Sequence, residues 1–126
     1  MKLELKRLTQ KDLYKLTAII DNSIANDARL EWPFSRETAE TFINDYDTWG
    51  IWLNNGILVG ALEVKADGET AYLVAKQWQA KGIATWAVTE IKKKFHARQL
   101  WCLIHPANRA SLRVAQKAIM RIQYLQ

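Results

Sequence analysis

The sequence predicts a mixed α+β fold in which a mostly antiparallel sheet is flanked by helices. Three apolar segments, residues 49–53, 57–64 and 70–75, follow one another with only short polar turns between them, which is the pattern of an antiparallel meander. Amphipathic stretches with helical spacing lie before and after this meander. A further apolar segment, residues 100–104, lies between two such stretches, so helices are expected to pack on the sheet. Residues 1–126 suffice for one domain with its own core.

The first third of the chain is predicted to hold one strand and two helices. Leucines alternate with charged residues over residues 2–8 and predict the strand. Thr9 suits the N-cap of a first helix that ends near residues 21–23. Residues 24–34 are predicted to be irregular, and Ser35 suits a capped start of the second helix. The predicted inner face of that helix is Ala39, Phe42, Ile43 and Tyr46.

The second half is predicted to alternate strands and helices. Residues 54–56 (Asn-Asn-Gly) predict a hairpin turn, because Asn-Gly tolerates positive φ angles. A helix is expected over residues 83–96, followed by strand 100–104, which is wholly apolar and therefore predicted to be central. A last helix ends near Lys117, and residues 119–125 are predicted to form a final strand.

Amino-acid composition limits the classes of ligand and the cellular location that can be expected for this protein. The formal net charge of +5 suits a phosphate-rich ligand and suits nucleic acid equally. Nucleic acid ranks last, because no strand interleaves basic and aromatic residues. The longest apolar run is far shorter than a membrane span and the N-terminus is not a signal peptide. Cys102 is alone and is predicted to be a buried small residue, so a cytoplasmic protein that contacts no membrane is expected.

One stretch, residues 74–90, joins a strand to a helix through a polar loop that ends in Gly82. The first N–H groups of a helix have no partner inside it, and the helix dipole adds positive charge there, so such a joint can hold a phosphate. Its core, residues 79–84 (Gln-Ala-Lys-Gly-Ile-Ala), is also compatible with an ordinary strand–loop–helix joint.

A second motif, residues 106–117 (PANRASLRVAQK), makes the pattern specific. It resembles the P-x-N-x-x-S-x-R-V-x-E-K helix of the GCN5-related N-acetyltransferases (GNAT), in the branch of ribosomal-protein N-terminal acetyltransferases. Residues 79–84 resemble the Q/R-x-x-G-x-G/A acetyl-CoA loop of the same family, and the order of elements is similar along nearly the whole chain.

The resemblance implies acetyl-CoA as cosubstrate. Backbone N–H groups of the loop would hold the pyrophosphate, and backbone groups near the end of strand 70–75 would pair with the pantetheine arm like a missing strand. Asn108 matches the family position whose amide contacts that arm, and it also suits a helix N-cap. The implied cofactor residues are Val74, Ala75, Gln79, Ala80, Lys81, Gly82, Ile83, Ala84, Thr85, Asn108 and Ser111.

The implied reaction is direct attack of a primary amine, from a small molecule or a protein N-terminus, on the thioester. The N–H of Val74 or Ala75 is the candidate oxyanion donor. Ser111 matches the proposed acid of the ribosomal-protein branch, while Ala115 stands where many members carry a tyrosine. Glu63 is the candidate base. Glu63 and Glu69 are the carboxylates nearest the central strands, and a solvated strand or turn position is the plainer interpretation of each.

The predicted substrate wall comes from residues 24–34 and the second helix. Trp32 and Phe34 resemble an aromatic stretch of the family there, and core packing explains Phe34 equally well. Tyr72 lies on the strand with the cofactor contacts and suits either substrate contact or sheet packing. No metal site is predicted.

Three functions are weighed: an N-acetyltransferase, a non-catalytic acyl-CoA-binding relative and, last, a nucleic-acid-binding domain. The second is motivated by Ala115 and by a final hairpin that is not complete before Gln126. An incomplete hairpin would leave a strand edge to be covered, so a homodimer is predicted.

Overall fold

A computed structural model describes residues 1–45 and 47–126; Tyr46, predicted for the inner face of the second helix, lies outside the described residues. Four strands form an antiparallel sheet in chain order, which confirms the predicted meander. They are β1 (Leu3–Arg7), β2 (Asp47–Leu53), β3 (Ile57–Val64) and β4 (Thr70–Val74). β2 begins two residues earlier than predicted, because Asp47 already pairs with Val64 of β3.

Three helices separate β1 from β2, one more than predicted. Thr9 and Asp12 form a reciprocal capping box that leads into α1 (Leu13–Ile19). A short α2 (Asn22–Asp27) then begins where the sequence predicted an irregular segment. Its N-cap is Asp21, whose carboxylate accepts the Ile24 N–H at 2.8 Å.

The helix before β2, α3 (Arg36–Asp45), begins as predicted. The Ser35 hydroxyl accepts the Thr38 N–H at 3.1 Å and so caps its first turn. Its inner face buries Ala39 and Phe42, as expected from their spacing. α3 packs with α1 on one face of the sheet.

The second half contains α4 (Ile83–Lys94), β5 (Trp101–Ile104), α5 (Arg109–Lys117) and β6 (Arg121–Tyr124). β5 pairs with β6 in parallel, and its one bridge on the β4 side among the described residues joins Trp101 to Glu69, the residue before β4. Past that bridge β4 and β5 belong to separate sheets. The prediction of a central β5 is therefore corrected: its apolar residues pack on helices or line the opening between the two strands.

A glycine makes the last contact before the strands part. The Trp101 N–H donates to the Gly68 oxygen at 3.1 Å. Gly68 has φ +93°, and a Cβ there would stand 2.3 Å from the Gln99 oxygen. Only glycine fits this position without movement of the backbone.

Hydrophobic clusters cover both faces of the four-stranded sheet. One holds α4, α5, β5 and the side chains of Leu62 and Val74. The other holds α1, α2 and α3 with Ala61 and Leu73. Successive residues of a strand point to opposite faces, so β3 and β4 contribute to both clusters and are buried on both sides. Among the described residues, no helix is long and apolar enough to cross a bilayer.

Candidate active site

The open edge of β4 faces the gap towards β5. The Ala75 N–H donates to the Val59 oxygen at 2.8 Å, and the Lys65 N–H donates to the Glu69 oxygen at 2.8 Å. Hydrogen-bonded and non-hydrogen-bonded pairs alternate in an antiparallel ladder, and Val74 lies one residue before Ala75 and five after Glu69, so its backbone groups face away from β3. The Val74 N–H therefore points into the gap, while the Ala75 N–H, the other predicted oxyanion donor, is already bonded inside the sheet.

The loop between β4 and α4 leaves an open helix N-terminus. Gly82 is the N-cap with φ +79°, and Ala80 also has a positive φ of 61°. The first α-helical bond runs from the Trp86 N–H to the Gly82 oxygen at 3.0 Å. The N–H groups before Trp86 have no partner within the helix, and among the described residues no side chain caps this end. A Cβ built on Gly82 meets nothing within 4 Å, so the space beside Gly82 is open.

Gln79 ties this loop back to the strand. Its side-chain amide donates to the Val74 oxygen at 3.0 Å. The bond holds the loop over the end of β4 and satisfies the Val74 oxygen, while the Val74 N–H still faces the gap.

The second motif, residues 106–117, lies across the gap from β4 and includes the start of α5. The side-chain oxygen of Asn108, Oδ1, caps the helix by accepting the Ser111 N–H at 3.2 Å. The cap occupies the oxygen end of the amide, so its NH₂ group remains to donate to a ligand.

A cavity of about 450 Å³, here called the loop cavity, joins the two motifs. Arg113 and Lys117 of α5 add positive charge to its wall. Ala75 and Lys81 are not among its lining residues, so the structure does not bring these two predicted cofactor residues to it. The predicted cofactor residues that line it are Val74, Gln79, Ala80, Gly82, Ile83, Ala84, Thr85, Asn108 and Ser111.

A second cavity of about 580 Å³, here called the β5 cavity, opens on the other side of the gap. It is formed by α2, β4, β5 and the start of α5. Its wall includes Asn26, Arg29, Thr70, Ala71, Cys102, Leu103, Ile104, His105, Ala107, Arg109 and Leu125. The residues that it shares with the loop cavity are Asp27, Ala28, Tyr72, Asn108, Ala110 and Ser111. The two cavities therefore meet between β4, α2 and α5.

Tyr72 stands at this junction. Its hydroxyl donates to the Ser111 oxygen at 2.8 Å and so links β4 to the first turn of α5. Burial, and next the nearby Cys102, raise the pKa of the Tyr72 hydroxyl. Ala115 follows Ser111 by one helical turn and is fully buried. The one tyrosine hydroxyl at this junction among the described residues thus comes from the strand and not from the helix.

Glu63 and Glu69 are buried, which corrects the expectation that they are solvated. Glu69 makes ion pairs with Arg29 at 3.5 Å and Lys65 at 3.6 Å. Glu63 Oε2 has no hydrogen-bond partner among the described residues. Burial is the main cause that raises the pKa of Glu63; Lys65 and Arg29 act against it and Glu69 adds to it. Helices cover both faces of β3, so no side of the strand is left for a solvated carboxylate.

The aromatic residues predicted for the substrate wall lie elsewhere. Phe34 is a core residue that packs edge-to-face on Phe42, with ring centroids 6.2 Å apart. Trp32 is about half exposed and lines neither cavity. Of the predicted wall 24–34, residues 24 and 26–29 line one or both cavities, whereas Trp32 and Phe34 line neither.

Sequence reasoning missed three charged residues of the β5 cavity, Asp27, Arg29 and Arg109. Asp27 and Arg29 belong to the segment predicted as irregular, and a helix of one and a half turns shows too few apolar positions for periodicity to reveal it. Arg109 immediately follows the Asn108 cap, and its position next to that predicted cofactor residue is the one signal in the sequence that could have identified it.

The sequence profile described as "Acetyltransferase (GNAT) domain" matches residues 2–121. The chain therefore belongs to the GNAT acetyltransferase family. It is of the class of acetyl-CoA-dependent N-acetyltransferases, with acetyl-CoA as cosubstrate. A comparison with curated protein sequences gives no match.

Solved structures with the same fold share little sequence with this chain. An acetyltransferase (GNAT family) from Bacillus anthracis has a TM-score of 0.76 at 21% identity, covering 96% of this chain and 81% of that one. Spermidine N-acetyltransferase from Vibrio cholerae, in complex with CoA and spermine, has 0.78 at 16%, covering 92% and 79%. A phosphinothricin acetyltransferase from Sinorhizobium meliloti, in complex with AcCoA, has 0.76 at 21%, covering 92% and 73%.

Proposed function

We propose that this protein transfers the acetyl group of acetyl-CoA directly to a primary amine at the junction of the two cavities. The main observation that supports this proposal is that the two cavities share wall residues, including Tyr72, Asn108 and Ser111. A cosubstrate in the loop cavity and an amine in the β5 cavity would meet there without crossing the sheet.

The loop cavity suits CoA by its donors and its charge. The free N–H groups at the start of α4 and the dipole of that helix favour the pyrophosphate, and Arg113 and Lys117 add cationic charge. The Val74 N–H and the Asn108 amide would donate to the pantetheine arm. Val74 is then also the proposed oxyanion donor, because its N–H faces the gap.

The reaction has a simple balance. The amine nitrogen forms a bond to the thioester carbon, the carbon–sulfur bond breaks, and one proton leaves the nitrogen while one reaches the thiolate of CoA. Ser111 is the proposed acid for the thiolate, because it lies in the first turn of α5 in the wall of both cavities.

Glu63 is the proposed base, acting through a water. Glu63 pairs directly with Ala71, so their side chains share one face of the sheet with Cβ atoms about 5 Å apart. Ala71 lines the β5 cavity, and its methyl group leaves the carboxylate close behind the wall. A raised pKa suits a general base that works near neutrality.

The acceptor is a small amine or a protein N-terminus. An α-amine with a pKa near ~8 leaves about a tenth of its molecules uncharged at pH 7, whereas a lysine near ~10.4 is almost wholly charged. A site whose base acts through a water molecule suits an α-amine better than a lysine. Membership of the ribosomal-protein branch, substrate contacts by Trp32 or Phe34, a homodimer and a cytoplasmic location stay predictions.

Thermal unfolding with acetyl-CoA, CoA and ATP, followed by thiol release with a panel of amines, tests this function. Ligand at one hundred times its Kd stabilises by about 2.7 kcal/mol, which is several degrees for a domain of this size. Acetyl-CoA and CoA should give this shift and ATP should not, and at least one amine should release CoA. A shift without turnover would favour the non-catalytic acyl-CoA-binding alternative; no shift at millimolar acetyl-CoA would refute both.

A further inference from the structure

The charges in the wall of the β5 cavity are unevenly placed. Asp27 lies at the junction with the loop cavity, whereas Arg29, His105 and Arg109 line the β5 cavity alone. Asp27 is the one carboxylate among the described lining residues of either cavity. Negative charge thus lies at the junction, where the reacting amine must sit, and the two arginines belong to the part of the wall that lines the β5 cavity alone.

From this arrangement we propose that the β5 cavity selects a small amine that also carries a carboxylate, in the manner of an amino acid. The inference rests on the proposed function and names its substrate class. Asp27 would hold the ammonium group before it loses its proton, and Arg109 and Arg29, which line the same cavity, would hold the carboxylate.

Arg29 is held in place by the protein. One terminal nitrogen of its guanidinium lies 3.3 Å from the Leu103 oxygen and 3.5 Å from Glu69 Oε2. Glu69 is also paired with Lys65, and the neighbouring Glu63 interacts with the same two cations. The Arg29 side chain remains 42% exposed and lines the β5 cavity.

The start of α5 adds to the same field. Arg109 is the first residue of α5, and that helix has no acidic residue in its first turn. The helix dipole therefore favours an anion at this end. His105 Nδ1 accepts the Ala107 N–H at 3.0 Å, so a neutral His105 carries its proton on Nε2 and offers the cavity a donor.

The same charges disfavour a polycation. A polyamine places several ammonium groups along its length, and such a ligand needs several carboxylates spaced to match. Here a second ammonium group would lie beside Arg29 and Arg109, because Asp27 is the one acidic residue of the described wall. Like charges brought together in this way discriminate against a ligand.

The test compares L-methionine with L-methioninamide, which lacks the carboxylate charge, and with spermidine. Binding to the CoA-saturated protein is measured by calorimetry, and thiol release is measured with acetyl-CoA. The amino acid should bind at least tenfold more tightly than its amide, and spermidine should bind least. Arg109→Gln should reduce the preference for carboxylate by about tenfold or more, since a charge-assisted hydrogen bond contributes about 1.5–3 kcal/mol.

Arg113→Gln is the matched control, because Arg113 lines the loop cavity and not the β5 cavity. It should weaken acetyl-CoA binding and leave the preference for carboxylate unchanged. Asp27→Asn should weaken binding of the amino acid but not of 4-(methylthio)butanoic acid, which lacks the amine.

The outcomes distinguish failure of the proposed substrate class from failure of the proposed transferase function. Selective binding of the amino acid without thiol release would support the substrate class and count against the transferase function. Equal or weaker binding of the amino acid than of its amide, tighter binding of spermidine, or no binding of either member of the pair would overturn the inference, whatever the turnover with other amines.

Discussion

The Tyr72 hydroxyl donates a 2.8 Å hydrogen bond to the main-chain oxygen of Ser111. This bond links β4 to α5 on the open side of β4, where the sheet offers no strand partner. A side chain thus sets the width of the gap in which the two cavities meet.

Tyr72→Phe should loosen this link. Loss of one net hydrogen bond costs about 0.5–1.5 kcal/mol, which lowers Tm by a few degrees. A wider gap should also lower kcat/KM by about tenfold, equivalent to 1.4 kcal/mol. Tyr14→Phe removes a hydroxyl from a residue that is 87% exposed and is the control for both measurements. Equal Tm and equal kcat/KM for the two variants would show that the bond does not set the gap.

Gly82→Asp and Gly82→Asn test the anion site at the start of α4. Asp and Asn have nearly the same shape and tolerate positive φ angles, so the two variants differ mainly in charge. The Asp variant should bind acetyl-CoA about tenfold or more weakly than the Asn variant, because like charges within a few ångströms repel by 1 kcal/mol or more.

Gly56→Asp is the control for backbone strain, since Gly56 has φ +81° and lies in the turn between β2 and β3, away from the site. It should lose stability without loss of acetyl-CoA affinity. Equal affinities of the two Gly82 variants would place the pyrophosphate elsewhere.

Gln79→Ala should release the loop from the end of β4. The Gln79 amide bond to the Val74 oxygen contributes about 1 kcal/mol, so the Kd for acetyl-CoA should rise by about fivefold in calorimetry. Gln77→Ala changes an exposed residue of the same loop and should leave the Kd unchanged. If both variants bind like the wild type, the loop is held by other contacts.

Glu63→Gln should change stability with pH in a defined direction. The pKa of Glu63 is raised in the folded state, so its favourable contribution is complete below the unfolded-state pKa and is lost as pH rises through the folded-state value. Glutamine does not titrate, so the Tm of the variant relative to wild type should increase from pH 4 to pH 8. Glu4→Gln, at an exposed position, should show no such trend.

The same variant tests the proposed base. Removal of a general base should lower kcat by about a hundredfold or more at neutral pH, although the protein is no less stable there. A Glu63→Gln enzyme with wild-type kcat would exclude Glu63 from proton transfer and leave the pH trend in Tm as a purely structural effect.

Much of the fold could be predicted because its signals are local. The strand 57–64, the Gly82 joint and the Asn108 cap each depend on residues adjacent in the chain, and the structure confirms all three elements. α2 could not be predicted, because Ile24 and Ala25 are its only buried positions and show no period.

The sequence by itself determined the order of the elements other than α2, the two motifs and the family they indicate, since these depend on local spacing. Only the tertiary structure decided that Glu63 is buried, because helices cover both faces of its strand. It also decided that Val74 rather than Ala75 offers its N–H to the gap, because strand register sets the direction of each backbone group. The meeting of Asp27 with Tyr72 and Ser111 joins three distant parts of the chain, and only their packing brings them together.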